Sequence, residues 1–222
     1  MDFRRPLREK SLGKVFDYGV GTMKRKAAEY STQELTKDSL PDFEKLLGKR
    51  PAPGAYMCWC LYHHRAGSPT AGKHRQSRVK RAASNREEKR ELVENGRSHG
   101  ILVFSHGEPV GWCQYGSAEE LPRIDTYPGY RKLAGERERD KLWRITCFVV
   151  VRTHRRRGVA SIALEAALDA IRKKGGGLVE AYPIVRWGSY REYLGTVSMF
   201  QKAGFKIVAP FGKNNVVMRK GI

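Results

Sequence analysis

The run Leu142-Trp143-Arg144-Ile145-Thr146-Cys147-Phe148-Val149-Val150-Val151 leads, three residues later, into Arg155-Arg156-Arg157-Gly158-Val159-Ala160-Ser161. The first stretch is apolar enough for a central strand. Beyond the second, Val159, Ile162, Ala163, Ala166, Ala167, Ala170 and Ile171 recur at helical spacing and form one stripe. A strand therefore passes into an amphipathic helix through three arginines and a glycine. Gly158 has no Cβ, so the backbone there can approach a ligand closely and take a positive φ. The amides of residues 156–161, the helix dipole and the surrounding positive charge together suit a pyrophosphate. A basic surface turn with solvated arginines is the alternative reading of the same residues.

Working outward, Gly175-Gly176-Gly177 stops the helix. Leu178 to Tyr182 reads as the next strand, and a strand-helix-strand unit of this kind predicts a parallel, right-handed pair. A short helix ending at Ala203-Gly204 precedes Phe205–Ala209 and Val216–Met218, which close as a hairpin. Upstream, Ile101–Phe104 and Val110–Tyr115 flank His106-Gly107-Glu108-Pro109 as a second hairpin. Asp42–Gly48 reads as a short helix with Phe43, Leu46 and Leu47 on one face. Between Thr70 and Arg86 lie six Lys or Arg and no acid, which predicts a solvated loop. Ser84-Asn85-Arg86-Glu87 has capping-box spacing and opens a helix ending near Asn95-Gly96. Glu119 to Asp140 is polar and reads as a long connection. Residues 1–26 are expected to be an N-terminal extension, and 27–222 a single domain.

A chain of 222 residues is long enough for one α/β domain with a sizeable core. With 43 Lys and Arg against 23 Asp and Glu, its net charge of +20 favours anionic partners: a phosphorylated cofactor, nucleic acid or a membrane surface. No apolar run approaches a membrane span. The Met1-Asp2-Phe3-Arg4-Arg5-Pro6 start lacks a secretory apolar stretch, so a cytoplasmic location is expected. Cys58, Cys60, Cys113 and Cys147 then read as reduced thiols. No metal site is expected. Cys58-Trp59-Cys60-Leu61-Tyr62-His63-His64 does not match zinc-ligand spacing. A half-buried strand is the reading of that segment, with Trp59 and Tyr62 as candidate walls of an acceptor pocket.

The strand, the Arg155-x-x-Gly158-x-Ala160 turn and the helix resemble the acetyl-coenzyme A motif of the GNAT superfamily of N-acetyltransferases. Met199-Phe200-Gln201-Lys202-Ala203-Gly204-Phe205 is similar to that family's second signature, an aromatic residue four positions before Gly-Phe. The likeness covers residues 142–208. It implies a GNAT-like α/β fold: a mixed, mostly antiparallel central sheet with a splayed parallel strand pair and flanking helices. It also implies acetyl-coenzyme A as acyl donor, with pantetheine pairing to main-chain groups of Phe148 and Val150. Arg155, Arg156, Arg157, Gly158, Val159, Ala160 and Ser161 would hold the pyrophosphate. Arg152, Arg156 and Arg157 are candidates for the ribose phosphate. Members of the family occur as monomers and dimers.

Acetyl transfer to an amine requires that the ammonium lose a proton, the thioester carbonyl be polarised and the departing thiolate be protonated. Family members attack directly, so Cys147 reads as a packed strand residue. Many relatives carry a Tyr acid where this chain has Phe200, which has no proton to give. Tyr193 is the preferred substitute, beside Tyr190, Thr196 and Ser198. Glu180 is the candidate base, because strand alternation sets it with Tyr182 on one face. A solvent-facing or salt-bridged Glu180, paired to Arg144 or Arg186, is the alternative. His154 reads as a loop residue. The leading function is acetyl transfer to a primary amine. The alternatives are a basic nucleic-acid-associated protein, or a transferase with an anionic acceptor such as aminoacyl-tRNA or a ribosomal protein.

Overall fold

Alternating side chains along the hairpin strands separate two apolar layers. In β2 (His99–Ser105), Ile101 and Val103 enter one layer, and Leu102 and Phe104 the other. The fold is seen in a computed structural model that describes residues 30–49, 58–67, 77–131, 141–185 and 192–222. The extension expected over residues 1–26 lies outside them. The other strands are β1 (Tyr30–Glu34), β3 (Glu108–Ser117), β4 (Leu142–Val150), β5 (Leu178–Ala181), β6 (Lys206–Phe211) and β7 (Asn215–Gly221). They form one seven-stranded sheet in the order β1-β2-β3-β4-β5-β7-β6. Every neighbouring pair is antiparallel except β4 and β5. This is the mixed, mostly antiparallel sheet with one parallel pair that the sequence implied, and β4 is its middle strand.

One face of the sheet is covered by α4 (Val159–Lys173) and α5 (Val197–Lys202), the fourth and fifth α-helices among the described residues. Val159, Ala163, Leu164, Ala167, Leu168, Ala170 and Ile171 of α4 are buried against Ile101, Val110, Tyr115, Ile145 and Val179. Burying each large aliphatic side chain there contributes roughly 1.5–3 kcal/mol. The opposite face carries α1 (Leu40–Gly48), α2 (Arg78–Glu94) and the turn around Trp59. Farther along it, a 3₁₀ segment (Pro122–Thr126) and α3 (Pro128–Arg131) occupy the stretch read as a plain connection.

Two expectations are corrected. Residues 78–86, read as loop, belong to α2. Its cap is Ser77, whose Oγ accepts from the Lys80 amide at 3.3 Å, and Ser84 lies inside the helix. The buried stripe of α2 is Asn85, Lys89 and Val93, spaced by four but mostly polar, so hydrophobic periodicity is silent. Glu44 of α1 clamps this helix by accepting from Arg86 and Arg90. Arg86 and Arg90 are thus engaged within the fold, whereas Arg78 and Lys80 are exposed. The Cys58–His64 segment is likewise no strand. Trp59 and Cys60 take φ of 49° and 53°, and the chain folds into successive turns closed by Leu61 N–H to Cys58 O and His64 N–H to Leu61 O. That left-handed backbone lets Trp59, Cys60 and Leu61 all enter the core.

Lys89 is fully buried, with Nζ donating to Ser98 Oγ and lying 5.2 Å and 5.4 Å from the Phe43 and Trp112 rings. Burial pulls its pKa from 10.5 down to about 8, against the raising effect of nearby thiols. Between those values the unfolded chain binds more protons than the folded one, so stability rises with pH across that window. Below it the folded state bears the whole cost of the charge, on the order of 3 kcal/mol. Lys89→Met, which keeps the packing, is expected to raise Tm at pH 7. Melts from pH 7 to 11 should also lose the upward slope; an unchanged slope assigns it to another group.

Candidate active site

Register along β4 explains why the parallel pair opens. On β3, Tyr115 lies opposite Ile145 but Gln114 lies opposite Cys147, so Thr146 is an extra residue and β4 bulges there. Thr146 Oγ1 donates to Gln114 Oε1 at 3.1 Å, and Cys147 Sγ lies 3.5 Å from Cys60 Sγ on the same face. Two successive side chains therefore point away from α4. Pairing with β5 runs from Leu142↔Leu178 to Ile145↔Ala181 and stops at this bulge. Beyond it, Cys147 to Val150 stay paired to β3 while β5 departs.

The departed edge leads straight to the basic turn. Gly158, at φ +85°, is the N-cap residue of α4, and no side chain caps the helix. The first α4 amide bonded back to the turn is that of Ile162, to Gly158 O at 3.0 Å, so Val159, Ala160 and Ser161 present their N–H groups at the helix start. Arg152, Arg155, Arg156 and Arg157 are exposed around it. Arg156 shares the left-handed conformation, at φ 61°. Arg155 Nε donates to Val150 O at 3.2 Å, so this side chain lies back along the edge assigned to pantetheine. His154, read as a loop residue, accepts or donates at 3.2 Å with Tyr30 OH.

Past the last β4–β5 pair a small pocket opens. Tyr182 follows β5, and Tyr193 and Leu194 come from the 3₁₀ turn Glu192–Leu194. Tyr62 and His63 come from the Trp59 turn, and Ile124 and Tyr127 from the segment before α3. Phe211 and Asn215 close it from β6 and β7. Gly195, at φ +77°, lets the Tyr193 segment lie against β4: a Cβ there would come within 2.7 Å of Met199 and 3.3 Å of Phe148. Phe200, in the position of the usual Tyr, is fully buried between Phe148 and Phe205, at ring centroid distances of 6.0 Å and 5.1 Å. It is a core residue here. Tyr193 lines the pocket and is half-buried; Tyr190 lies outside the described residues.

Glu180 is completely buried beneath this pocket. Its Oε2 accepts from Tyr130 OH at 2.6 Å and Tyr182 OH at 2.7 Å, and its Oε1 from Arg219 at 2.6–2.7 Å. Among the described residues the pairing partner is thus Arg219 of β7, while Arg144 turns to Asp125 and the Tyr130 hydroxyl; Arg186 lies outside the described residues. Burial, then the Glu180 charge, pushes the Tyr130 hydroxyl up to about 12, and the same two causes raise Tyr182 well above its usual range. Both phenols therefore stay protonated and donate. Strand alternation set Tyr182 beside Glu180, but Tyr130, Arg219 and Asn215 gave no signal in the sequence, since no motif marks them. Among the described residues no group of three or more His, Cys, Asp or Glu side chains is placed to hold a metal, and no helix is long and apolar enough to cross a membrane.

Compared with protein-family models, residues 61–205 match the Acetyltransferase (GNAT) family. The chain belongs to the GNAT family. Membership carries the general activity, acetyl-coenzyme A-dependent N-acetylation, and fits the bulged, splayed β4 and the glycine turn. No curated protein matches. Among solved structures, a GNAT acetyltransferase from Streptococcus pneumoniae is 14% identical, with 87% of this chain and 99% of that one covered and a TM-score of 0.49. An acetyltransferase from Thermus thermophilus is 15% identical over 87% and 97%, with a TM-score of 0.49. The PaiA N-acetyltransferase from Thermoplasma acidophilum, solved in complex with coenzyme A, is 14% identical over 87% and 99%, with a TM-score of 0.47.

Proposed function

We propose that this GNAT protein transfers an acetyl group from acetyl-coenzyme A to a primary amine by direct attack in the aromatic pocket. The observation that carries the reading is that β4–β5 pairing ends at the Thr146 bulge: past it β5 leads into the pocket at Tyr182, while β4 runs on toward the uncapped α4 N-terminus. Pantetheine lies along the main chain of Phe148 and Val150. The diphosphate rests on the turn of Arg155, Arg156, Arg157, Gly158, Val159, Ala160 and Ser161, where free amides, helix dipole and guanidinium charge add together. Arg155 then releases Val150 O for the cofactor.

In the pocket the acceptor ammonium gives a proton to the Tyr182 hydroxyl as that group passes its own to Glu180, 2.7 Å away. The freed amine attacks the thioester carbonyl, the C–S bond breaks as Tyr193 protonates the departing thiolate, and the nitrogen's surplus proton passes to the Tyr193 oxygen, restoring the phenol. Glu180 acts as base through Tyr182, since its own oxygens are enclosed. The nucleic-acid alternative gains nothing from Arg86 and Arg90 of α2, which Glu44 already engages.

The test is calorimetric titration with acetyl-coenzyme A, followed by thiol release over a panel of amines. Saturable binding and at least one productive amine are expected; no binding would remove the reading. Tyr193→Phe should lower kcat about 100-fold with donor affinity unchanged, as loss of a general acid does. Equal turnover in that variant would return the proton to water.

A further inference from the structure

The mechanism leaves unused a group of thiols on the face of the sheet away from α4. Cys60 and Cys147 come from segments 87 residues apart, yet their sulfurs lie 3.5 Å apart. Cys147 is on the splayed part of β4, next to Phe148, and is partly exposed. Cys60 is buried in the turn that carries Tyr62 and His63 into the pocket. Its φ of 53° and a 2.8 Å bond from Gln114 Nε2 to its carbonyl hold it in place. Gln114 also takes the hydroxyl of Thr146, the bulge residue, so one side chain fixes both thiol-bearing segments. Cys113 lies in the opposite apolar layer.

We propose that Cys60 and Cys147 are an oxidisable dithiol, a modification site that hydrogen peroxide converts to a disulfide joining the pocket turn to the cofactor strand. The hydrogen bond shared with Cys147 and the buried Lys89 charge draw the Cys60 thiol toward thiolate against the opposing effect of burial, whereas that bond and burial push Cys147 well above its usual range. Cys60 is therefore the nucleophile toward peroxide and Cys147 the resolving thiol. The Cys60 thiolate attacks one peroxide oxygen, the O–O bond breaks, and Cys60 sulfenic acid and hydroxide form. Cys147 sulfur then attacks the Cys60 sulfur, the S–O bond breaks, and water leaves with the Cys147 proton. Overall two thiols and one peroxide give one disulfide and two waters. The bond ties the bulge of β4 to the turn, fixing the gap beside the pocket.

The site does not depend on which amine is acetylated, and its test does not read activity. The full-length protein, treated with hydrogen peroxide and then alkylated, should show two free thiols in place of its four. Non-reducing peptide mapping should join the Cys60 and Cys147 peptides, and a thiol reductant should undo the link. Crosslinking so long a loop should also raise Tm by several degrees. Cys147→Ser should leave a Cys60 sulfenic acid that dimedone traps, and Cys58→Ser should leave the link intact. A link through Cys58, dimers joined between chains, or four thiols surviving peroxide in the folded wild type would each overturn the proposal.

Discussion

Gly158→Glu is expected to abolish measurable acetyl-coenzyme A binding, a loss of 100-fold or more, while the protein stays folded. A Cβ at Gly158 would meet nothing within 4 Å, so the fold has room for the side chain. The structural cost is confined to the backbone: φ of +85° in a non-glycine residue costs about 1–2 kcal/mol. The electrostatic change is larger at the ligand, because a carboxylate then sits among the amides meant for the diphosphate. Gly158→Ala separates the two effects. It carries the backbone strain without the charge and should bind only modestly more weakly. Titration and a thermal melt of both variants check this. If Gly158→Glu binds like wild type, the diphosphate lies elsewhere.

Glu180→Ala is expected to destabilise the protein by about 3–5 kcal/mol, the usual result of removing one partner of a buried ion pair. Arg219 is only 13% exposed, and Tyr130 and Tyr182 would lose their shared acceptor. Urea unfolding gives the magnitude, and thiol release gives the turnover of whatever folded protein remains. Because a collapse of the fold would hide catalysis, the paired change Glu180→Leu with Arg219→Met is the informative companion. It removes both charges and should recover part of the stability. Turnover that stays low in a stable double variant supports the proton route through Tyr182. Turnover that recovers with stability makes Glu180 purely structural.

The strand-turn-helix frame of the candidate site was legible in local pattern. The strand into Gly158 and α4 could be read because its apolar residues repeat at helical spacing and its glycine marks a turn. The hairpin of β2 and β3 was legible for the same reason, strand periodicity broken by His106-Gly107-Glu108-Pro109. By contrast α2 buries Asn85 and Lys89 along its inward stripe, and polarity there mimicked a loop. β1 was unforeseen because it buries only Tyr30 fully and has no alternation to read. The turn at Trp59 misled through its backbone: two left-handed residues send successive side chains inward, which alternation cannot encode.

The sequence by itself determined the strand, the Gly158 turn and the helix after it, and its two signatures carried the resemblance that implied the family and its mixed sheet. Those depend on neighbours within about twenty residues, where spacing maps directly onto geometry. Only the tertiary structure decided what surrounds the reacting groups. It placed Phe200 in the core and Tyr193 at the pocket, and it gave Glu180 the partner Arg219 from 39 residues away. It also brought Cys60 to Cys147. The physical reason is that the bulge at Thr146 and the strand order β5-β7-β6 set these contacts, and both are outcomes of register between distant strands.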